Sequence, residues 1–287
     1  MSNPVERDFD GLHVAVFEAR MAGSLADLVA RRGGVAVPAP ALREIPLGEN
    51  PEAVAFVDSL RAGAFDLVIF ETGVGVRYLV AAMADRIDRE EWPRLLAGPT
   101  VVARGPKPAT ALRELGVAID LLVPSPNTWR ETLATLDAHK PVAGLRVALQ
   151  EYGQPAADLL RELEARSAAV TRVPVYRWDL PEDLGPLRAA LAGLVEGRIQ
   201  VALFTSAQQV EHVLQIARAE GIEELLRAAF ADRIVVGSVG PTTSEALRAH
   251  GLPVDVEPSH PKSGHLVVAV ADAWRSVGKV RRPEAGS

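Results

Sequence analysis

Gly11-Leu12-His13-Val14-Ala15-Val16 and Gly144-Leu145-Arg146-Val147-Ala148-Leu149 are one phrase written twice, and this repetition decides the fold. Each copy leads into an amphipathic stretch, with Leu25, Leu28 and Val29 on one face in the first and Leu159, Leu160 and Leu163 in the second. Both then reach an extended segment, Val35-Ala36-Val37-Pro38 or Val170-Thr171-Arg172-Val173-Pro174. Working outward, Phe65-Asp66-Leu67-Val68-Ile69-Phe70 pairs with Ile199-Gln200-Val201-Ala202-Leu203-Phe204, two apolar runs of the kind buried on both faces of a parallel sheet. Thr100-Val101-Val102-Ala103-Arg104-Gly105-Pro106 parallels Ile234-Val235-Val236-Gly237-Ser238-Val239-Gly240-Pro241, and Ala-Leu-Arg-x-x-Gly follows at Ala111 to Gly116 and at Ala246 to Gly251. Strands alternating with helices predict a parallel sheet covered by helices in each half, so the fold class is α/β, with two flavodoxin-like lobes from an internal duplication.

Composition narrows the chemistry. The 287 residues suffice for two domains, and 48% hydrophobic against 24% charged residues is a globular balance. No apolar run approaches a bilayer span, and Met1 to Asp10 lacks a signal-peptide pattern, so no membrane association and a cytoplasmic location are expected. Without cysteine there is no disulfide framework, thiolate catalysis, iron–sulfur cluster or cysteine-bound zinc. The six histidines form no His-x-x-x-His pair, and His260 and His265 flanking a Pro-Lys-Ser-Gly turn read as a solvated loop, so no metal is expected. A net charge of −6 argues against nucleic acid as a partner.

Ligands of open parallel sheets bind beyond the carboxyl ends of the strands. The turns expected there are Glu18-Ala19-Arg20, Thr72-Gly73-Val74-Gly75-Val76-Arg77, Arg104-Gly105-Pro106-Lys107, Thr205-Ser206 and Gly240-Pro241-Thr242-Thr243. Helix N-termini there favour an anion, and Arg20, Arg77, Arg104 and Lys107 add full positive charge suited to carboxylates. Thr205, Ser206, Thr242 and Thr243 equally suit the ordinary task of capping a helix. Gly73-x-Gly75 is no dinucleotide fingerprint, because Tyr78 stands where its third glycine belongs, and neither a phosphate-binding P-loop nor a nucleophile elbow is present.

Together these turns, with Val173-Pro174-Val175-Tyr176-Arg177-Trp178 and Phe204-Thr205-Ser206, resemble the uroporphyrinogen-III synthase family over about Gly11 to Trp274. The resemblance implies two lobes joined by a pair of extended strands, the first strand–helix unit of each half packing with the opposite lobe. Residues 1–38 with 179–275 would form one lobe and 45–171 the other, with linker strands at 39–44 and 172–178 and a disordered tail from 276 to 287. It further implies a cofactor-free monomer that takes hydroxymethylbilane, removes water and closes the ring with the terminal pyrrole inverted. Holding the substrate's shape in the cleft between lobes would matter more than acid–base power. Tyr176 matches the family's Val-Tyr segment and is the candidate catalytic acid, while Arg20, Thr72, Gly73, Arg77, Arg104, Lys107, Thr205, Ser206, Thr242 and Thr243 are candidate substrate-binding residues. The chain departs from the family at Phe70-Glu71-Thr72, where Phe-Thr-Ser is common, and at Pro108, where one form has threonine and Thr110 is the nearest substitute. The competing expectations are a two-lobed sensor or binding protein that does not react its ligand, and a methyltransferase or other nucleotide-dependent enzyme.

Overall fold

Short aliphatic runs become strands and the amphipathic stretches between them become helices in the computed structural model, which describes residues 8–153 and 156–280. The chain begins β1 (His13–Val16), α1 (Ala22–Arg31), β2 (Val35–Pro38), β3 (Arg43–Pro46), α2 (Pro51–Arg61), β4 (Leu67–Phe70), α3 (Gly73–Ala82) and α4 (Trp92–Leu95). It continues β5 (Thr100–Ala103), α5 (Pro106–Glu114), β6 (Leu121–Leu122), α6 (Trp129–His139), β7 (Arg146–Gln150), α7 (Ala157–Ala165), β8 (Ala169–Val173) and β9 (Tyr176–Asp179). It ends α8 (Gly185–Val195), β10 (Val201–Phe204), α9 (Ala207–Ala219), α10 (Glu223–Asp232), β11 (Val235–Ser238), α11 (Pro241–Ala249) and α12 (Ser263–Val277). Among the described residues no helix is long and apolar enough to cross a membrane.

Two compact units emerge. The first takes the chain up to Arg43 together with the part from Asp179 onward, and the second is Glu44–Trp178. The first holds a parallel sheet in the order β11-β10-β1-β2, the second one in the order β6-β5-β4-β7-β8. This is the α/β architecture of paired parallel sheets that the repeated phrase predicts. Successive strand residues face opposite sides of a sheet. Val68 and Phe70 of β4 therefore enter one core, and Leu67 and Ile69 another on the far face. In β10, Ala202 and Phe204 face one core and Val201 and Leu203 the other.

The duplication extends to the hydrogen bonds. Asp66 accepts from the Arg146 N–H (2.8 Å), and Gln200 accepts from the N–H of His13 at the matching place (3.0 Å). Asp120 caps the start of β5 through the Val101 N–H (2.7 Å), as Asp255 caps β11 through Val236 (2.8 Å). The Ala-Leu-Arg-x-x-Gly helices both stop at a glycine with positive φ, +75° at Gly116 and +68° at Gly251, a conformation in which a side chain is strained.

Three boundaries differ from expectation. Strands β3 and β9 pair as a two-stranded sheet where the chain passes between units, but they begin later than 39 and 172. Residues 39 and 41 instead continue along β1, the Ala39 N–H donating to Val16 (2.9 Å) and the Ala41 N–H to Phe17 (3.1 Å), so pairing with β9 starts only at Arg43. Residues 172–173 belong to β8, and Pro174 separates them from β9. Residues 276–280 of the expected tail are packed, since α12 runs to Val277 and the Lys279 ammonium donates to the Phe230 carbonyl (2.8 Å) and to Asp255 (2.7 Å). Residues 1–7 and 281–287 of the expected lobe and tail lie outside the described residues.

Phe204 is fully buried, with its ring 4.9 Å from that of Phe17 and 6.1 Å from that of Phe230. Phe204→Ala should cost about 3–5 kcal/mol of stability, read as a lower urea midpoint.

Candidate functional site

Strand register builds the site in the second unit. Phe70 lies beside Ala103 and beside Gln150, so the residues one step further, Glu71, Arg104 and Glu151, leave the sheet at the same edge. Thr72 then starts α3, its hydroxyl accepting from the Gly75 N–H (3.0 Å) as an N-cap. Two glycines let other chain segments approach this turn. A Cβ on Gly73 would sit 2.5 Å from the Lys107 carbonyl oxygen, and one on Gly75 would sit 2.1 Å from the Gln150 carboxamide. Gln150 in turn accepts from the Thr72 N–H (3.4 Å) and donates to the Glu151 carbonyl.

Two carboxylates lie buried at this edge with two arginines. Glu151, 3% exposed, takes a bidentate pair from Arg172 of β8 (2.8 and 3.0 Å). The side chain of Glu71 is 1% exposed and meets Arg104 through one contact, Nη1 to Oε1 at 3.1 Å. Its Oε2 is buried with no hydrogen-bond partner among the described residues. Arg104 lies over the Tyr152 ring, 4.9 Å from the centroid. Burial pushes the Glu71 carboxyl up to about 7, Arg104 opposing and the nearby Glu151 charge adding to the rise. Desolvation therefore outweighs the single ion-pair contact.

Tyr176 comes from β9 and is 3% exposed, its hydroxyl 3.2 Å from that of Thr72 and its ring 5.6 Å from that of Tyr78. If Thr72 donates to Tyr176, the phenol proton is directed away from Thr72 and toward another acceptor.

The same edge of the first unit is built differently. Thr205, directly after Phe204, donates to Glu18 (2.6 Å) and exchanges two hydrogen bonds with Gln209, whose Oε1 accepts from the Thr205 N–H (2.7 Å) and whose Nε2 donates to the Thr205 hydroxyl (2.8 Å). Ser206 precedes α9 but makes no capping bond, and its Oγ is buried without a partner among the described residues. Thr243 is buried within α11, whereas Thr242 beside it is exposed. Ser238 and Ser244 share a buried hydroxyl pair (2.8 Å), and Ser244 also donates to Glu257.

The predicted residues thus separate. Thr72, Gly73, Arg104 and Tyr176 converge in the second unit, with the Lys107 backbone against Gly73 and its side chain exposed. Arg77 does not join them, since it pairs with Glu114 of α5 (3.1 Å) on an exposed helix face. Arg20 is exposed beside Glu18, and Thr110 is exposed on α5. Gln150, Glu151, Arg172 and Tyr152 went unread in the sequence. The available signal was alignment of the strand ends, since each lies within a step or two of a residue paired with Phe70 or Gln150. The rings of His260 and His265 meet edge-on at 5.4 Å, and among the described residues no three His, Cys, Asp or Glu side chains are grouped to hold a metal.

The pH dependence of Glu71 can be stated with its sign. Folded Glu71 holds its proton up to about pH 7, and the unfolded carboxyl releases it near 4.5. Its stabilising protonation is therefore complete below the lower value and lost as pH rises through the higher, on the order of 3 kcal/mol in all. Glu71→Gln, which cannot ionise, should gain stability relative to the wild type by about that amount between pH 5 and pH 8 in paired urea titrations. A difference independent of pH would contradict the burial argument.

Comparison with known proteins identifies the family. The family model of uroporphyrinogen-III synthase (HEM4, HemD) matches residues 23–268. A mutant uroporphyrinogen III synthase from the extremely thermophilic bacterium Thermus thermophilus superposes with a TM-score of 0.69 at 27% identity, covering 93% of this chain and 100% of that one. A Methanothermobacter thermautotrophicus protein named "Putative uroporphyrinogen-III synthase" is 32% identical over 233 residues, 79% of this chain and 84% of its own. An uncharacterized Bacillus subtilis protein, YjjA, is 27% identical over 265 residues, 91% of this chain and 95% of its own. With most of its length matched by the family model and by a solved member, the chain belongs to the uroporphyrinogen-III synthase family.

Proposed function

We propose that the protein converts hydroxymethylbilane to uroporphyrinogen III, acting without a cofactor as a cytoplasmic monomer. The observation that carries the reading is the likeness to the Thermus synthase across 93% of the chain, in sequence and in fold. Family membership does not favour the competing reading of a binder that leaves its ligand unchanged.

The reaction suits a site with positioning groups and one weak acid. An electron-rich pyrrole expels the hydroxymethyl oxygen readily, so the protein need only assist the departing hydroxyl and govern which carbon attacks. In this reading Tyr176 donates a proton to that hydroxyl, which leaves as water, and Thr72 holds the phenol through the 3.2 Å contact. The terminal pyrrole then attacks the resulting azafulvene through its substituted carbon, giving a spiro intermediate. The bond from that carbon to its original methylene breaks, and the terminal ring's free α-carbon bonds to that methylene and so closes the inverted ring. The proton that the α-carbon loses restores the Tyr176 phenol. Unassisted closure gives the type I isomer, so selectivity comes from substrate shape. Arg104 and Lys107, and Arg20 in the first unit, are assigned to substrate carboxylates, with Thr72, Gly73, Thr205, Ser206, Thr242 and Thr243 supplying hydroxyl or backbone contacts. Arg77 has the weakest claim, because Glu114 already occupies it.

The test is the ratio of type III to type I uroporphyrinogen formed from freshly generated hydroxymethylbilane with purified protein and no cofactor. A type III excess is expected, and a mixture matching the protein-free control would defeat the reading. Tyr176→Phe should keep the fold, because Thr72 retains its bond to Gly75, and should lower kcat by up to about 100-fold. Unchanged turnover would remove the acid role.

A further inference from the structure

We propose that Glu71 is a positioning residue that holds Arg104 in reserve: a substrate carboxylate displaces Glu71 from the guanidinium, and Glu71, left without its counter-ion, takes up a proton from solvent. The inference rests on the synthase reading only in requiring a ligand rich in carboxylates.

Geometry argues for an exchangeable contact. Arginine offers five N–H donors, and among the described residues the Arg104 guanidinium makes one hydrogen bond, to one oxygen of Glu71. Its side chain remains 23% exposed and lies over Tyr152, so its remaining donors are oriented and accessible from one side. By contrast, Arg172 uses two donors on Glu151 in a closed fork. The single contact of Arg104 is the weaker and the easier to exchange.

The other half of the molecule supplies an internal comparison. Thr205 follows Phe204 as Glu71 follows Phe70, and Val239 precedes Gly240-Pro241 as Arg104 precedes Gly105-Pro106. Glu18 and Glu151 match likewise, two residues beyond the repeated phrase. The first unit thus closes this position with a neutral hydroxyl on Glu18, and the second carries a buried carboxylate and an arginine together. A purely structural position is satisfied by threonine, and the charged pair adds a cation that can be released.

Glu71 has few alternatives once Arg104 leaves. Glu151 is the facing carboxylate and is held by Arg172; Thr72 and Tyr176 bond each other; Lys107 on α5 is exposed; and Arg77 on α3 is taken by Glu114. Among the described residues no second cation replaces Arg104, so the carboxyl becomes neutral by binding a proton. Charge balances: the ligand carboxylate replaces the Glu71 carboxylate on Arg104, and one proton enters from the buffer.

The experiment is calorimetric titration of the intact protein with uroporphyrinogen III under anaerobic conditions, near pH 8, in phosphate and in Tris. The dependence of the heat on buffer ionisation gives the protons bound. The wild type should take up close to one proton per ligand near pH 8 and almost none near pH 5.5, where Glu71 is already protonated. Glu71→Gln should show no uptake and bind about tenfold tighter than the wild type near pH 8, with equal affinity near pH 5.5. Binding by the wild type without proton uptake, or uptake retained in Glu71→Gln, would overturn the proposal and leave the synthase reading intact. No binding by the wild type would overturn both, and the wild-type pH series decides the matter if the variant fails to fold.

Discussion

Parallel strands held in register end together, and the site depends on that constraint. With Phe70 fixed beside Ala103 and Gln150, the chain must leave three adjacent strands at one edge, where Glu71, Arg104 and Glu151 meet. Helix α3 begins from the same place, so Thr72 caps it while touching Tyr176. Glycine at 73 is required because the Lys107 backbone carbonyl occupies the space a side chain would need, and a side chain at 75 would displace the Gln150 carboxamide. Moving any one of these strands by a residue would turn its inward side chains to the opposite face and separate the cluster.

The two halves show what duplication preserves and what it allows to change. Backbone caps are kept, as at Asp120 with Asp255 and at Asp66 with Gln200; for the part-buried N–H groups of Val101 and Val236 an unpaired strand-end donor is costly in either half. Between Thr205 and Glu71 the chemistry diverges. Threonine settles its hydrogen bonds locally, whereas the buried glutamate loses several kcal/mol of hydration that one contact to Arg104 only partly offsets. Such a cost is typical of a working position rather than of a packing one.

Much of the fold was legible because its signals are local. The repeated Gly-Leu-x-Val-Ala phrase, the apolar runs ending at Phe70 and Phe204, and the glycines closing two helices each reflect backbone or burial demands within a few residues. Thr72, Gly73 and Arg104 were legible as turn residues at strand ends. Arg77 misled because the same turn continues into a helix whose fifth residue points at Glu114, which periodicity within one helix does not reveal. Gln150, Glu151 and Arg172 were hidden because their role comes from strands far apart in sequence, and only pairing of β4 with β7 and β7 with β8 gives it. The linker strands start later because Ala39 and Ala41 stay bonded to the end of β1 and Pro174 separates β8 from β9, the first of which is a pairing between distant segments that the local sequence does not show.

The central claim is that Glu71 and Arg104 form one energetic unit where the first half carries Thr205 and Val239. A double-mutant cycle of unfolding free energies near pH 8, using Glu71→Thr, Arg104→Val and the two combined, tests it most directly. Arg104→Val alone leaves buried Glu71 without its counter-ion, so it must be protonated against a buffer near pH 8, a cost the combined variant lacks. The combined variant should therefore be more stable than that single one, with a coupling of about 1–3 kcal/mol. Additive effects of the two changes would contradict the account.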